Sequence, residues 1–218
     1  MVDKPLNIKI CGIKDIKTAK LIEDLGANFI GFVCYKKSPR NISLKQYCDI
    51  SSALGSRINK VIVAVEPSDE FIEELITTAR PDYLQIHGHI TIDRINHIKA
   101  KYKLNLIIAL SYLSLQQDLI NELEQVSDYI LIDSASQSGN GEYGGSGLKF
   151  NWTKLTKFKF NKPYFLSGGL NITNIKKALD LTLCNYVDLS SALESEKGVK
   201  SPKKITEFFN YLRANEYL

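Results

Sequence analysis

The feature that most constrains the fold of this chain is a regular alternation of short β-rich runs with segments of helical periodicity. Eight such runs occur, and apolar positions at helical spacing lie between most of them. Consecutive parallel strands need a crossover of about a dozen residues, which a helix usually supplies. The pattern predicts parallel strands at Asn7–Cys11, Phe29–Val33, Lys60–Val65, Tyr83–Ile86, Asn105–Leu110, Tyr129–Asp133, Pro163–Ser167 and Tyr186–Ser190.

The number of units decides between two parallel architectures. A doubly wound sheet usually has fewer strands and a glycine-rich dinucleotide fingerprint after its first strand, which the turn at residues 11–14 lacks. Eight units favour closure into a (β/α)8 barrel, the TIM-barrel fold of the α/β class. The 218 residues suffice for one barrel without large insertions, so a single domain spanning residues 1–218 is expected.

Local signals set the expected helix ends. Serine and asparagine commonly cap the first turn of a helix, so the expected N-caps are Ser43, Ser68, Asn171 and Ser201. Pro202 suits a first helical turn and Gly26 a helix end. The predicted helices follow the stripe Ile16, Ala19, Ile22 and Leu25 and lie at Leu44–Leu54, Ser68–Ala79, Ile92–Tyr102, Leu115–Val126, Ile172–Leu181 and Pro202–Asn215.

Composition excludes several classes of partner and site. The net charge of +4 comes from lysines spread along the chain, without a basic run interleaved with aromatics, so no nucleic-acid partner is expected. No apolar run approaches membrane-spanning length and the first ten residues lack a signal-peptide core, which predicts a cytoplasmic protein without a membrane partner. The four cysteines lack CxxC spacing and the three histidines fall in one short region, so no metal site is predicted.

The end of the first strand carries a thiol above a lysine. Period-two alternation places Asn7, Lys9 and Cys11 on one face, while Ile8 and Ile10 face the helices. In a (β/α)8 barrel the chemistry lies at the carboxyl ends of the strands. We therefore expect Lys9 to lie below Cys11, where its positive charge can favour the thiolate.

Polar residues also follow other strands at the same predicted rim. Arg40 would suit a carboxylate, because its planar guanidinium pairs bidentately with one. Asp133 ends the sixth strand and points to proton chemistry, and glycine- and serine-rich loops after the last three strands are typical of a phosphate cradle. The remaining candidates are His87 and Asp188 at strand ends, and, for phosphate, Gly144, Gly145, Ser146, Gly147, Gly168, Gly169, Ser190 and Ser191.

Each of these residues has an ordinary structural explanation when taken alone. Cys11 could be a small core residue, His87 a hydrogen-bonded turn residue and Arg40 a surface charge. Their joint occurrence on one predicted rim favours a functional site.

The motifs at the strand ends resemble those of the phosphoribosylanthranilate isomerases, which catalyse an Amadori rearrangement in tryptophan biosynthesis. The resemblance covers nearly the whole chain and implies that Cys11 is the general base, Asp133 the general acid and Arg40 the ligand of the anthranilate portion. It also implies further substrate contacts, which we assign to Lys9, His87 and Asp188. The matching segments are residues 9–13, 38–43, 85–88, 133 with 144–147, 150–152, 166–170, 187–194 and 198–200.

The implied reaction converts an aminoaldose phosphate into an aminoketose phosphate. An acid must protonate the furanose ring oxygen and a base must remove the C2′ proton of the resulting iminium. The substrate's own nitrogen serves as the electron sink, so no cofactor or metal is expected. The expected partner is a small phosphosugar, and the sequence leaves both a monomer and a homodimer open.

The sequence departs from the family pattern at four positions. Glu66 stands where the family usually has Asn, the basic residue that the family commonly has near Ile108 is missing, Ser146 replaces Thr, and Asn151 replaces Asp. Other phosphosugar barrels remain alternatives, namely an indole-glycerol-phosphate synthase-like lyase or a pentose-phosphate epimerase, although three clustered histidines do not favour the metal site of the latter. A non-catalytic phospholigand-binding barrel is the alternative from a different class.

Overall fold

Eight parallel strands close into a barrel in this computed structural model, which describes residues 5–133 and 152–218. The strands follow one another around the barrel in chain order, and the eighth pairs with the first. The single-domain (β/α)8 barrel predicted from the alternation is therefore confirmed. The strands are β1 Asn7–Cys11, β2 Phe29–Val33, β3 Asn59–Val65, β4 Tyr83–His87, β5 Asn105–Ser111, β6 Tyr129–Asp133, β7 Tyr164–Leu166 and β8 Tyr186–Leu189.

Helices cover the outside of the barrel. Their apolar stripes pack on the outward side chains of the strands, as helical periodicity requires. Single turns of 3-10 helix occur at Tyr112–Ser114 and Ser191–Leu193, and a longer one at Trp152–Lys157 precedes β7. The α-helices are α1 Ile16–Asp24, α2 Leu44–Ser51, α3 Asp69–Thr78, α4 Ile92–Tyr102, α5 Gln117–Val126, α6 Ile175–Thr182 and α7 Pro202–Ala214.

Three of the four predicted N-caps are confirmed. The hydroxyls of Ser43, Ser68 and Ser201 each accept a hydrogen bond from the backbone N–H three residues later. The prediction for Asn171 is wrong. Its Oδ1 accepts from the N–H and hydroxyl of Thr173 in a local turn, so α6 begins only after Asn174.

Side chains inside the barrel form layers drawn from alternate strands. The first residues of the even-numbered strands make one layer at the amino-terminal end, with ring centroids 5.3–6.4 Å apart. Phe165 of β7 packs edge-on against this layer, with its centroid 5.1 Å from that of Phe29. The end of the barrel opposite the strand carboxyl termini is therefore filled by aromatic rings, namely Phe29, Tyr83, Tyr129, Phe165 and Tyr186.

Strand β1 shows the predicted alternation. Ile8 and Ile10 lie in the core between strands and helices, whereas Cys11 belongs to the cluster inside the barrel. Lys9 is fully buried on the inward face. A charged residue thus occupies the barrel interior two residues before the strand ends.

A small hairpin outside the barrel was not predicted. Strands β9 (Glu194–Glu196) and β10 (Val199–Lys200) pair antiparallel after the 3-10 turn that follows β8. Two strands of this length offer no alternating apolar pattern from which a hairpin could be recognised. Every helix in the described ranges is also too short or too polar to cross a lipid bilayer.

Candidate active site

A cavity opens among the carboxyl ends of the strands, where the sequence predicted the site. It encloses about 580 Å³ of empty space when its open mouth is included. Several predicted site residues meet on its wall. The lining residues are Cys11, Val33, Tyr35, Ser38, Arg40, Val63, Val65, Gln85, His87, Leu131, Asp133, Ser167, Asp188 and Ser190.

Cys11 ends β1 and presents its thiol to this cavity beside Gly31 of β2. A β-carbon at position 31 would lie 2.8 Å from Sγ of Cys11, which is shorter than any real contact of that kind. Only glycine therefore leaves room for the thiol. Burial raises the pKa of Cys11, and the positive charge of Lys9 opposes that effect in part.

Lys9 lies on the same face of β1 as Cys11, two residues before it, and pairs with Asp188. Its Nζ donates a hydrogen bond to Oδ1 of Asp188 at 3.0 Å, and both side chains are buried. Burial alone would lower the pKa of Lys9, but the Asp188 carboxylate outweighs it and keeps the ammonium charged. Asp188 lines the cavity, whereas Lys9 does not, so Lys9 faces the substrate site only through its neighbours.

Asp133 is the last residue of β6 and is also buried on the cavity wall. In the closed strand order, β7 and β8 separate β6 from β1. Asp133 and Cys11 therefore approach the same cavity from different sides of the barrel.

Arg40 lines the cavity but is already paired with a residue that the sequence did not single out. Its Nε and Nη2 donate to the two carboxylate oxygens of Glu194, at 2.7 and 2.9 Å. Among the described residues, Nη1 of Arg40 has no hydrogen-bond partner. One edge of the guanidinium is occupied, and N–H groups remain for a ligand.

Glycine again makes room for this side chain. Gly12 follows β1 with a φ of +85°, and a β-carbon there would lie 2.6 Å from Cδ of Arg40. The turn after Cys11 and the arginine after β2 can therefore share the rim of the cavity.

The predicted phosphate ligands divide into three groups. Ser190 lines the cavity, but its hydroxyl donates to the carbonyl oxygen of Cys11 at 3.0 Å and accepts from Lys200 at 3.1 Å. Gly168 and Gly169 follow β7 with φ values of +89° and +69°, and Ser191 begins a 3-10 turn. Gly168, Gly169 and Ser191 do not line the cavity themselves, but they follow the lining residues Ser167 and Ser190 in the chain. The predicted positions Gly144, Gly145, Ser146 and Gly147 lie outside the described residues.

Backbone donors are available at the two glycines. The N–H groups of Gly168 and Gly169 donate to no other group in the described part of the chain. Consecutive N–H groups in a turn with positive φ are a common anion-binding arrangement.

His87 contacts Gln85, a second residue that the sequence did not assign to the site. The side-chain Nε2 atoms of the two residues lie 2.7 Å apart. Burial lowers the pKa of His87 to about 4, so the ring is neutral near pH 7 and Nε2 can accept from the amide. Oε1 of Gln85 is buried without a partner among the described residues, which leaves one acceptor on the wall unsatisfied.

Two departures from the family pattern do not line the cavity. Glu66 has a left-handed backbone, with φ +44°, and its Oε1 accepts from the N–H of His89 at 2.7 Å. Asparagine tolerates this conformation better, which explains why it suits the position. Ile108 faces outward into the core between strand and helix, so a basic residue is not needed there for a ligand inside the barrel. Asn151 and Ser146 lie outside the described residues.

Within residues 5–133 and 152–218, no group of three or more His, Cys, Asp or Glu side chains could hold a metal ion. The cavity wall offers a thiol, two carboxyl groups and a guanidinium with open N–H groups, and the backbone donors of Gly168 and Gly169 follow Ser167 of the wall. Such a set can bind an anion at two places and move protons between them.

Comparisons with known proteins show the family and the fold of this chain. Residues 8–211 match the sequence model of N-(5'phosphoribosyl)anthranilate (PRA) isomerase. The N-(5'-phosphoribosyl)anthranilate isomerase of Rhodopseudomonas palustris (strain BisA53) is 35% identical over 216 residues, which cover 98% of this chain and 99% of that protein.

Solved structures of the same enzyme superpose on this barrel. The phosphoribosyl anthranilate isomerase of Thermus thermophilus has a TM-score of 0.84 at 26% identity, covering 96% of this chain and 100% of that one. Another, bound to reduced 1-(o-carboxyphenylamino)-1-deoxyribulose 5-phosphate, has a TM-score of 0.77 at 28% identity, with 96% and 99% coverage.

Proposed function

Because this chain belongs to the N-(5'-phosphoribosyl)anthranilate isomerase family of tryptophan biosynthesis, we propose that Cys11 and Asp133 are the general base and general acid of its Amadori rearrangement. The observation that carries the proposal is that both side chains lie on the wall of one cavity, on β1 and β6. An acid and a base that reach one ligand from different sides can act on its ring oxygen and on C2′ in turn.

The proton transfers follow from the chemistry of the substrate. Asp133 donates a proton to the furanose ring oxygen as the C1′–O bond breaks, and the nitrogen lone pair forms the C1′=N iminium bond. The Cys11 thiolate then removes the C2′ proton, and the electrons of that C–H bond move towards the nitrogen. The resulting enolamine tautomerises to the aminoketose, so atoms and electrons balance within the substrate.

The charge pattern around Cys11 supports its role as a base. Burial disfavours the thiolate, but the buried Lys9 ammonium stabilises it. The iminium that forms during the reaction adds a second positive charge next to the thiol. A thiolate is therefore most favourable when the C2′ proton has to leave.

The remaining contacts assign the two anionic ends of the substrate. Open N–H groups of Arg40 bind the anthranilate carboxylate, and the N–H groups of Gly168 and Gly169 bind the phosphate. Ser190 and Ser191 border the phosphate from β8, and Gly144, Gly145, Ser146 and Gly147 complete the predicted cradle. His87 and Asp188 contact the ribose portion, while Lys9 acts from below through Asp188.

The test is a pair of variants, Cys11→Ala and Asp133→Asn. Each should lower kcat at least about 100-fold in a fluorescence assay of phosphoribosylanthranilate consumption, while the reduced product analogue still binds. Cys48→Ala and Asp118→Asn are matched controls, because these residues lie away from the cavity and should keep wild-type kcat. Near wild-type kcat in either site variant would remove the role assigned to that residue.

A further inference from the structure

We propose that Glu194 and Lys200 of the hairpin β9–β10 are positioning residues that fix the guanidinium of Arg40 so that its remaining N–H groups bind the substrate carboxylate. This inference rests on the proposed function, in which Arg40 is the carboxylate ligand. The hairpin lies outside the barrel, and the side chains of Glu194 and Lys200 point back to the rim of the cavity.

The buried carboxylate of Glu194 accepts hydrogen bonds from four donor groups. Besides the two bonds from Arg40, it accepts from Nζ of Lys200 at 2.6 Å and from the N–H of Gly198 at 3.0 Å. Only 6% of the residue is exposed. Because both oxygens accept bonds and the donors belong to three residues, the carboxylate cannot rotate without losing a partner, and neither can the guanidinium that it holds.

The hairpin also contacts the backbone of the loop that carries Arg40. A β-carbon at Gly198 would lie 2.6 Å from the carbonyl oxygen of Pro39, and Gly198 has a φ of +84°. The turn of the hairpin therefore packs directly on the residue before Arg40. Both the side chain and the main chain of the arginine loop are located by the same short segment.

Lys200 links this cluster to the end of β8 and to Cys11. Its three N–H groups donate to Oε1 of Glu194 and to the carbonyl and hydroxyl oxygens of Ser190, at 2.6, 3.0 and 3.1 Å. The Ser190 hydroxyl in turn donates to the carbonyl oxygen of Cys11. All donors of the ammonium are used inside the protein, so Lys200 is not itself a substrate ligand.

The cluster carries one net positive charge. Arg40 and Lys200 contribute two positive charges and Glu194 one negative charge, and all three side chains are buried. A buried arginine–glutamate pair alone would be neutral and would have little attraction for an anion. Lys200 leaves the excess charge that a substrate carboxylate can neutralise.

Two ligands separate the carboxylate contact from the rest of binding. We would measure, by calorimetry, the dissociation constants of reduced 1-(o-carboxyphenylamino)-1-deoxyribulose 5-phosphate and of an analogue that lacks the carboxyl group. The ratio used below is the dissociation constant of the analogue without the carboxyl group divided by that of the complete ligand. It reports the carboxylate contact alone, because both ligands share the phosphate and the sugar chain. A residue with a purely structural role would weaken both ligands equally and leave the ratio unchanged.

Glu194→Asp keeps the charge but retracts the carboxylate by one methylene group. We expect it to reduce the ratio at least about tenfold, because Arg40 follows the carboxylate or loses one of its two bonds. Lys200→Met should reduce the ratio as well. Glu196→Asp is the matched control on the same hairpin, and its exposed side chain predicts an unchanged ratio.

Arg40→Ala distinguishes a failure of this inference from a failure of the proposed function. If Arg40→Ala lowers the ratio but Glu194→Asp and Lys200→Met keep the wild-type value, the positioning role is wrong and the role of Arg40 stands. If Arg40→Ala keeps the wild-type ratio, the proposed carboxylate ligand is wrong. An increase in the ratio for Glu194→Gln, with no change for Glu194→Asp, would mean that Glu194 sets charge and not position, which also overturns the inference.

Discussion

Nζ of Lys9 lies 3.0 Å from Oδ1 of Asp188, and this buried pair sits beside the residue that ends β1, Cys11. The lysine stabilises the thiolate of Cys11, whereas the aspartate opposes it. Asp188 therefore limits how far Lys9 can lower the pKa of the proposed base.

Lys9→Met should move the pH dependence of catalysis to higher pH. The positive charge of Lys9 lowers the pKa of Cys11, so removing that charge disfavours the thiolate. Because kcat/KM rises as the base loses its proton, the acidic limb of the profile should shift to higher pH. Lys176→Met, which removes an exposed partner of Asp180, should leave the limb in place. A downward shift in Lys9→Met would contradict the assignment.

Gly31→Ala should lower kcat about 100-fold while the barrel still folds. The new β-carbon would lie 2.8 Å from Sγ of Cys11, and 3.1 Å from its Cα, so the thiol must move off its position. Misplacement of a reacting group by about 1 Å can cost about 100-fold in rate, which steady-state kinetics would detect. Gly55→Ala is the control, since only the flexible end of Glu23 lies near its new methyl group. Wild-type kcat for Gly31→Ala would show that the thiol is not needed at this position.

The Glu194 cluster should make the fold sensitive to acid. Burial favours the protonated carboxyl, but Arg40 and Lys200 prevail and lower the pKa of Glu194 from 4.5 to about 2. A depressed pKa stabilises the native state above the unfolded pKa and loses that contribution as the pH falls towards the native value. Denaturant titrations should therefore show a loss of about 3 kcal/mol between about pH 5 and pH 2. In Glu194→Gln this loss of stability at low pH should be absent. If the free energy of unfolding of the variant fell with pH as steeply as that of the wild type, the prediction would be contradicted.

Truncation of the Phe29 side chain should be among the most destabilising changes in this chain. It is 4% exposed and contacts four other rings at the amino-terminal end of the barrel. Phe29→Ala should lower the free energy of unfolding by about 3–5 kcal/mol, measured by denaturant titration. Phe71→Ala, on the half-buried face of α3, should cost clearly less. Equal losses for the two variants would show that a ring in the aromatic layer contributes no more to stability than a half-buried ring on α3.

Most of the barrel was predictable because its signals are local. β1, β2 and β6 have the bounds that the apolar runs gave, and helix α4 has the predicted bounds as well. The inward direction of Lys9 and Cys11 followed from period-two alternation alone. Membership of the isomerase family, and not of the lyases or epimerases, follows from the matched motifs.

The contacts of the site were less predictable because they join distant parts of the chain. Nothing local marks Glu194 as the partner of Arg40, since 154 residues separate them. The hairpin that carries Glu194 has no periodicity to detect, and a glycine such as Gly31 reveals its role only when the neighbouring thiol is placed. The wrong cap at Asn171 has a similar origin, because an asparagine turn and an asparagine cap look alike in sequence.

The pairing of β8 with β1 has a consequence for how the enzyme comes into being. Lys9 meets Asp188 across 179 residues, so its charge has no partner until almost the whole polypeptide has been synthesised. Contacts of such long range form late and slowly in folding. Before β8 has been synthesised, the sheet of a nascent chain is open and Lys9 has no carboxylate partner in it. Closure of the barrel and assembly of a competent site are therefore the same event.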